Sequence, residues 1–213
     1  MDGVSALWRV ARTLRPPRRR GKSLPTMLFF TDPDRTPHPE TIIGRLPAGA
    51  AVVFRTFGRA DVEARGDALA TLARRRGVRV IVGANAALAR RLKADGVHLP
   101  QRAAHRPGEI RALRSRFWVT AAAHDLPAAL KAARAGVDAI ILSPVFQSAS
   151  PSAGRAIGPR RLAGLVRAAG APAYALGGVN AATVRALGLT GVVGIAAIEG
   201  FSPRPSGRST LRT

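Results

Sequence analysis

Ile140–Pro151, IILSPVFQSASP, and Ala173–Asn180, AYALGGVN, decide the fold of this chain. Each starts as an apolar, strand-forming run and then breaks into a turn rich in serine or glycine. Strands that end in small-residue loops are how (β/α) barrels gather ligand groups at one face.

Working outward, similar apolar runs rich in β-branched residues occur at Met27–Thr31, Ala51–Phe54, Val78–Val82, Gly96–Leu99, Phe117–Ala121, Ala139–Leu142, Ala173–Leu176 and Val192–Ala196. Segments with helical periodicity lie between most of them: Asp61–Arg75, Ala86–Ala94, Pro107–Arg114, Leu126–Ala135, Pro159–Ala168 and Ala181–Leu187. Strands alternating with helices imply parallel pairing and right-handed crossovers. Gly77, Gly96, Gly136, Gly170 and Gly191 each stand just before a strand, as helix C-caps do. Eight such units predict a closed, compact (β/α)8 TIM barrel over residues 25–200, with a doubly wound open sheet as the alternative. Roughly 175 residues is small for that barrel, so its helices and loops must be short. Residues 201–213 read as a loose tail.

Composition narrows the function classes. The 213-residue chain is 46% hydrophobic, enough for one sizeable core, and has no cysteine, which removes disulfides, thiolate metal sites and cysteine nucleophiles. This suits a reducing compartment, and the cytoplasm is the expected location. No apolar run approaches the roughly 20 residues of a membrane helix, and no secretory h-region follows the basic N-terminus. The net charge of +22 invites a nucleic-acid reading. However, Arg9, Arg12, Arg15, Arg18, Arg19, Arg20 and Lys22 crowd into residues 1–24, which read as a disordered basic arm. Elsewhere, arginines such as Arg74, Arg75, Arg76, Arg90 and Arg91 fall at helix-surface spacings without interleaved aromatic residues to stack bases. A solvated cationic face is therefore favoured, and nucleic-acid binding through the arm is the lesser reading. Oligomeric state is left open.

The loops after the last two strands carry the clearest chemistry. Gly177-Gly178 follows the seventh strand, and Ile195 and Ala196 are read as following the eighth at the start of a short helix, where barrels commonly bind phosphate through backbone N–H groups. A plain tight turn is the alternative for the glycine pair.

Gly96-Val97-His98-Leu99, Ser143-Pro144-Val145-Phe146 with its following serines, Ala156-Ile157-Gly158, Ala175-Leu176-Gly177-Gly178-Val179 and Gly191–Ile198 together resemble the thiamin phosphate synthase and TenI (thiazole tautomerase) superfamily. The match spans roughly Leu24–Gly200 and rests on the order and placement of the motifs at successive strand ends. The resemblance implies a TIM barrel that handles phosphorylated thiazole or pyrimidine precursors of thiamin. Departures from the synthase pattern are extensive. Its QxREK-like segment reads Val53-Phe54-Arg55-Thr56-Phe57 here, keeping only Arg55. The synthase's Asn-Asp pair aligns with Gly83 and Ala84 and a later aspartate with Ala103; those aspartates bind magnesium there, and alanine has no oxygen for a hard cation. The TxTK segment becomes Ser148-Ala149-Ser150-Pro151, which keeps two hydroxyls and loses the lysine, and a serine after the fifth strand becomes Ala122. No metal is expected, although Asp32 and Asp34 are candidates for a displaced site.

His124 aligns with the histidine that the TenI group uses for proton transfer. Tautomerisation needs a general acid or base and a phosphate anchor, without metal or other cofactor. The resemblance thus favours a metal-independent, TenI-like isomerase with His124 as the catalytic residue. Arg55, Ser148, Ser150, Gly177, Gly178, Ile195 and Ala196 are the expected substrate and phosphate contacts. The alternatives are a divergent thiamin phosphate synthase, which would bring magnesium, and a non-catalytic binder of a phosphate ligand or nucleic acid. His124 beside Asp125 also fits an ordinary helix start, and His98 fits a hydrogen-bonded core residue.

Overall fold

A computed structural model of the protein describes residues 3–19, 22–148 and 154–202. Eight parallel strands follow one another around a closed barrel. They are β1 Met27–Phe30, β2 Ala51–Phe54, β3 Arg79–Gly83, β4 Gly96–Leu99, β5 Trp118–Ala123, β6 Ala139–Leu142, β7 Ala173–Ala175 and β8 Gly194–Ala197. β8 pairs with β1 to close the ring, Ile195 opposite Met27. The closed barrel, rather than the open sheet, is what the chain adopts.

Each strand divides its residues between two cores. Leu28, Phe30, Val53, Ile81, Ile141 and Ala196 point inward to a small barrel-filling cluster. Their neighbours Phe29, Val52, Val80, Val82, Ile140 and Ile195 join the larger layer under the helices. A narrow barrel can hold large side chains only where a facing position is small. Tyr174 lies inside because Gly194 has no side chain: a Cβ there would stand 2.2 Å from the Tyr174 ring. The Tyr174 hydroxyl donates to Pro25 O at 2.6 Å, and burial pushes its pKa up. Gly96 opens β4, Gly96–Leu99, as the apolar run there predicts, and caps no helix; a Cβ on it would come within 2.8 Å of Trp118 O.

The outer helices are α1 Gly3–Ala11, α2 Pro39–Ile43, α3 Ala60–Ala64, α4 Gly66–Arg75, α5 Ala86–Arg91, α6 Pro107–Arg114, α7 Leu126–Ala135 and α8 Pro159–Ala169. Asp125 caps α7 by accepting from Ala128 N at 2.7 Å, and Gly136 ends it in the left-handed conformation. The expected helix at Ala181–Leu187 is reduced to a 3-10 turn, Val184–Leu187. No helix among the described residues is long and apolar enough to cross a membrane.

The structure departs from the sequence reading at the N-terminus. Residues 3–11, expected within a disordered arm, form α1 and bury Val4, Leu7 and Ala11. These three positions share one helix face, and α1 itself carries a single arginine, Arg9. α1 touches β8, β1 and the 3-10 turn Glu199–Phe201 that follows β8. It thereby covers the strands that the eighth outer helix of a complete barrel would cover. Phe29 and Phe201 meet edge to face beneath it, with ring centroids 5.9 Å apart. Arg18–Arg19 and Lys22–Ser23 pair as a short antiparallel ribbon. Of the expected tail, residues 201–213, Phe201 is instead buried at the end of the Glu199–Phe201 turn, and the residues from 203 onward lie outside the described residues.

Candidate active site

The C-terminal ends of all eight strands open into a cavity of about 1070 Å³. Its walls include Arg35 after β1, Arg55–Gly58 after β2, Gly83–Asn85 after β3, Gln101 and Arg102 after β4, and His124 after β5. Ser143, Pro144, Gln147 and Ser148 after β6, Leu176–Asn180 after β7, and Ala197–Gly200 at the end of β8 complete it. Concave walls lined by a few convergent polar groups are the usual setting for small ligands.

The Gly177-Gly178 turn is built by close backbone approach. A Cβ on Gly177 would lie 2.7 Å from Pro144 Cα, and one on Gly178 would lie 2.3 Å from Gln147 O. Both residues also have positive φ, 91° and 64°, which glycine adopts without strain. Their carbonyls are occupied: Phe146 N donates to Gly177 O at 2.9 Å, and Thr183 Oγ1 donates to Gly178 O at 2.8 Å. Among the described residues, neither glycine N–H has a protein acceptor. The turn therefore presents free donors on a glycine surface, the arrangement an anion requires.

Ser148 lines the same wall, whereas Ser150 lies outside the described residues. Ile195 and Ala196, expected as phosphate contacts, do not line the cavity. They are fully buried in the middle of β8, and the Ile195 N–H donates to Thr26 O at 2.9 Å as part of the ladder. The strand continues to Ala197, so Ala197–Gly200 supply this wall instead.

Arg55 crosses the opposite wall, since β2 and β6, like β3 and β7, stand four strands apart in the ring. Its Nε donates to Thr31 O at 2.8 Å, and one Nη reaches Asp32 Oδ2 at 3.4 Å. The guanidinium carbon lies 5.5 Å from the Phe30 ring centroid and 4.7 Å from that of Phe57. Burial draws the Arg55 pKa down to about 10; Asp32 opposes this shift and Arg35 adds to it. The group is therefore still a cation at neutral pH, though a poorly hydrated one. Arg35 itself pairs with Glu199 across the mouth.

Two histidines face the cavity in different states. His98 is buried, its Nδ1 3.0 Å from Thr120 Oγ1 and its ring edge-on to Phe30. Burial, reinforced by the Arg55 charge, drops its pKa to about 3, so it is neutral and acts as a packed core residue. His124 is exposed at the start of the α7 turn, and its Nδ1 lies 2.8 Å from Ser143 O. A carbonyl only accepts, so Nδ1 carries the proton and Nε2 is left as the basic nitrogen. Gln101 Oε1 accepts from the His124 backbone N–H at 2.9 Å and fixes the turn. Gln101, Ser143 and Phe57 have no regular spacing that would have singled them out as a group; only closure of the barrel brings their loops together.

This is a (β/α)8 barrel whose strand ends surround a cavity walled by the Gly177-Gly178 turn and by the Arg55 cation. The family model described as thiamine monophosphate synthase matches residues 28–201, and the chain belongs to that family. It is 35% identical over 181 residues to the thiamine biosynthesis bifunctional protein ThiED of Geobacter sulfurreducens, covering 76% of this chain and 35% of that one. It is 33% identical over 153 residues to a thiamine-phosphate synthase of Geobacillus kaustophilus, covering 69% and 67%. Thus the chain spans between 35% and 67% of the length of these two curated relatives. The thiamine phosphate pyrophosphorylase structure from Pyrococcus furiosus superposes with a TM-score of 0.68 at 25% identity, covering 83% of this chain and 86% of that one.

The magnesium that resemblance to the synthase implies does not fit the residues present. Hard divalent cations take several oxygen ligands, yet Gly83, Ala84 and Ala103 offer no side-chain oxygen. A side chain at position 83 would also press on Arg55, whose Cγ would lie 3.1 Å from a Cβ there. Asp32 is engaged by Arg55 and by the backbone N–H groups of Asp34 and Arg35, each at 3.2 Å. Asp34 pairs with Arg59 at 3.2 Å. No cluster of three acidic, histidine or cysteine side chains able to hold a metal occurs among the described residues.

Proposed function

We propose that this barrel is a thiamin-biosynthesis enzyme that joins a pyrimidine pyrophosphate to a thiazole phosphate. The observation that carries this reading is the alignment of most of the barrel with proteins named thiamine-phosphate synthases. It moves the synthase ahead of the tautomerase that resemblance and residue losses favour in the sequence. In the reaction, the bond from the pyrimidine methylene carbon to the pyrophosphate oxygen breaks, and the thiazole nitrogen bonds to that carbon. Pyrophosphate leaves with the electron pair, so charge grows on its oxygens in the transition state. Arg55 is assigned to that growing charge, and the Gly177 and Gly178 N–H groups to the thiazole phosphate.

A second reading rests on one specific contact, the His124–Ser143 hydrogen bond, which leaves Nε2 as a base at the cavity wall. In that reading His124 removes a proton from the thiazole carbon and a proton is redelivered elsewhere, giving the aromatic ring without metal. One experiment separates the two. The full chain is incubated with both substrates, with and without EDTA, while a parallel sample receives the thiazole carboxylate phosphate tautomer alone. Coupled product formation supports the synthase. Isomerisation without coupling transfers the assignment to the tautomerase, and neither activity leaves a ligand-binding barrel.

A further inference from the structure

Phe57 stands out on the cavity wall. It is 60% exposed, although it is a large apolar side chain. It also has a φ of 52°, a conformation that a bulky residue adopts only under strain. Its ring lines the cavity and lies 4.7 Å from the Arg55 guanidinium carbon. The protein thus keeps an aromatic ring in a costly backbone conformation at the mouth while leaving most of it in water. The neighbouring cation is incompletely partnered. A guanidinium has five N–H groups, and Arg55 shows only the bonds to Thr31 and Asp32 among the described residues. No buried side-chain nitrogen or oxygen lacks a partner among the described residues, so the unbonded Nη1 of Arg55 opens toward the cavity.

We propose that Phe57 and Arg55 form a shelf for a planar, anionic aromatic ligand, with Phe57 the residue that selects for the ring. The ring of the ligand stacks on the exposed face of Phe57, and its anionic group meets the free Nη1 of Arg55. Stacking removes the apolar face of Phe57 from water and adds an aromatic contact to the charge-assisted bond. Applied to the proposed reaction, and resting on that reading, the shelf receives the ring of a thiamin precursor at the β2 side of the mouth.

The test uses the full chain and two probes that are not thiamin precursors, phenyl phosphate and inorganic phosphate. They carry the same anion with and without a ring. The wild type is expected to bind phenyl phosphate about tenfold more tightly, and Phe57→Gly to abolish that preference while leaving inorganic phosphate within twofold. Phe57→Gly also removes the strained φ, so a melting temperature equal to or above the wild type accompanies the loss. Phe57→Trp retains the preference, and its emission changes with phenyl phosphate and not with inorganic phosphate. Equal affinity of the wild type for both probes, or an equal loss of both in Phe57→Gly, overturns the shelf. Thiazole phosphate and pyrimidine pyrophosphate are then titrated separately. A ring preference for phenyl phosphate without binding of either precursor keeps the shelf and removes the thiamin reading.

Discussion

The Nδ1 of His124 and the carbonyl oxygen of Ser143 lie 2.8 Å apart, joining the loop after β5 to the loop after β6. Ser143 Oγ stands 3.2 Å from the same nitrogen, so one residue both orients the ring and assigns its tautomer. This contact gives the two candidate chemistries different sensitivities.

If His124 moves a proton, His124→Gln lowers turnover in thiazole isomerisation by roughly 10²- to 10⁴-fold with the thiazole Kd unchanged. Single-turnover kinetics beside calorimetry makes that distinction. A variant with wild-type coupling activity and no isomerase deficit removes His124 from the chemistry.

Gly178→Ala introduces a Cβ that would stand 2.3 Å from Gln147 O, at a φ of 64°. Rigid backbone, not a yielding side chain, is the obstacle, so the turn must shift. A loss of about 1–3 kcal/mol in stability is expected, together with weaker binding of inorganic phosphate. Urea unfolding and phosphate titration of the same variant check both effects.

His98 links stability to acid. Its folded pKa of about 3 lies below the ordinary value of 6.5, so the unfolded chain binds the proton more readily. Its contribution is complete above pH 6.5 and is lost as pH falls toward 3, on the order of 5 kcal/mol across that window. Urea midpoints measured from pH 4 to 7.5 should fall less steeply toward acid in His98→Gln than in the wild type. Parallel curves would mean that other groups govern the acid limb.

Leu7→Ala examines whether α1 belongs to the fold. Leu7 is fully buried in the outer core layer, and truncating a leucine in such a place costs about 2–5 kcal/mol. A deletion of residues 1–24, which a disordered arm would tolerate, is expected to lower the melting temperature by uncovering β8 and β1. Unchanged thermal unfolding of both proteins would return α1 to the status of an appendage.

Much of this architecture is legible in the residues. The eight apolar runs are the eight strands because each must be buried on both faces, and such burial selects unbroken runs of β-branched and small residues. The Gly177-Gly178 turn is legible for a related reason, since adjacent glycines after a strand mark close backbone approach. α1 is less visible: its buried side chains are only Val4, Leu7 and Ala11, and the basic residues that follow it, Arg12, Arg15, Arg18, Arg19, Arg20 and Lys22, give residues 1–24 as a whole the composition of a solvated arm.

Sequence alone determined the barrel, the family and the loss of oxygen donors at Gly83, Ala84 and Ala103, because hydrophobic runs and residue identities are local properties of the chain. Tertiary structure decided which loops share a wall. It brought Gln101 to the His124 turn, set Arg55 between Phe30 and Phe57, and buried Ile195 in the β8 ladder two positions short of Ala197, which lines the cavity. The physical reason is ring closure. Contacts among eight strand ends depend on register and strand order, which no short segment encodes by itself.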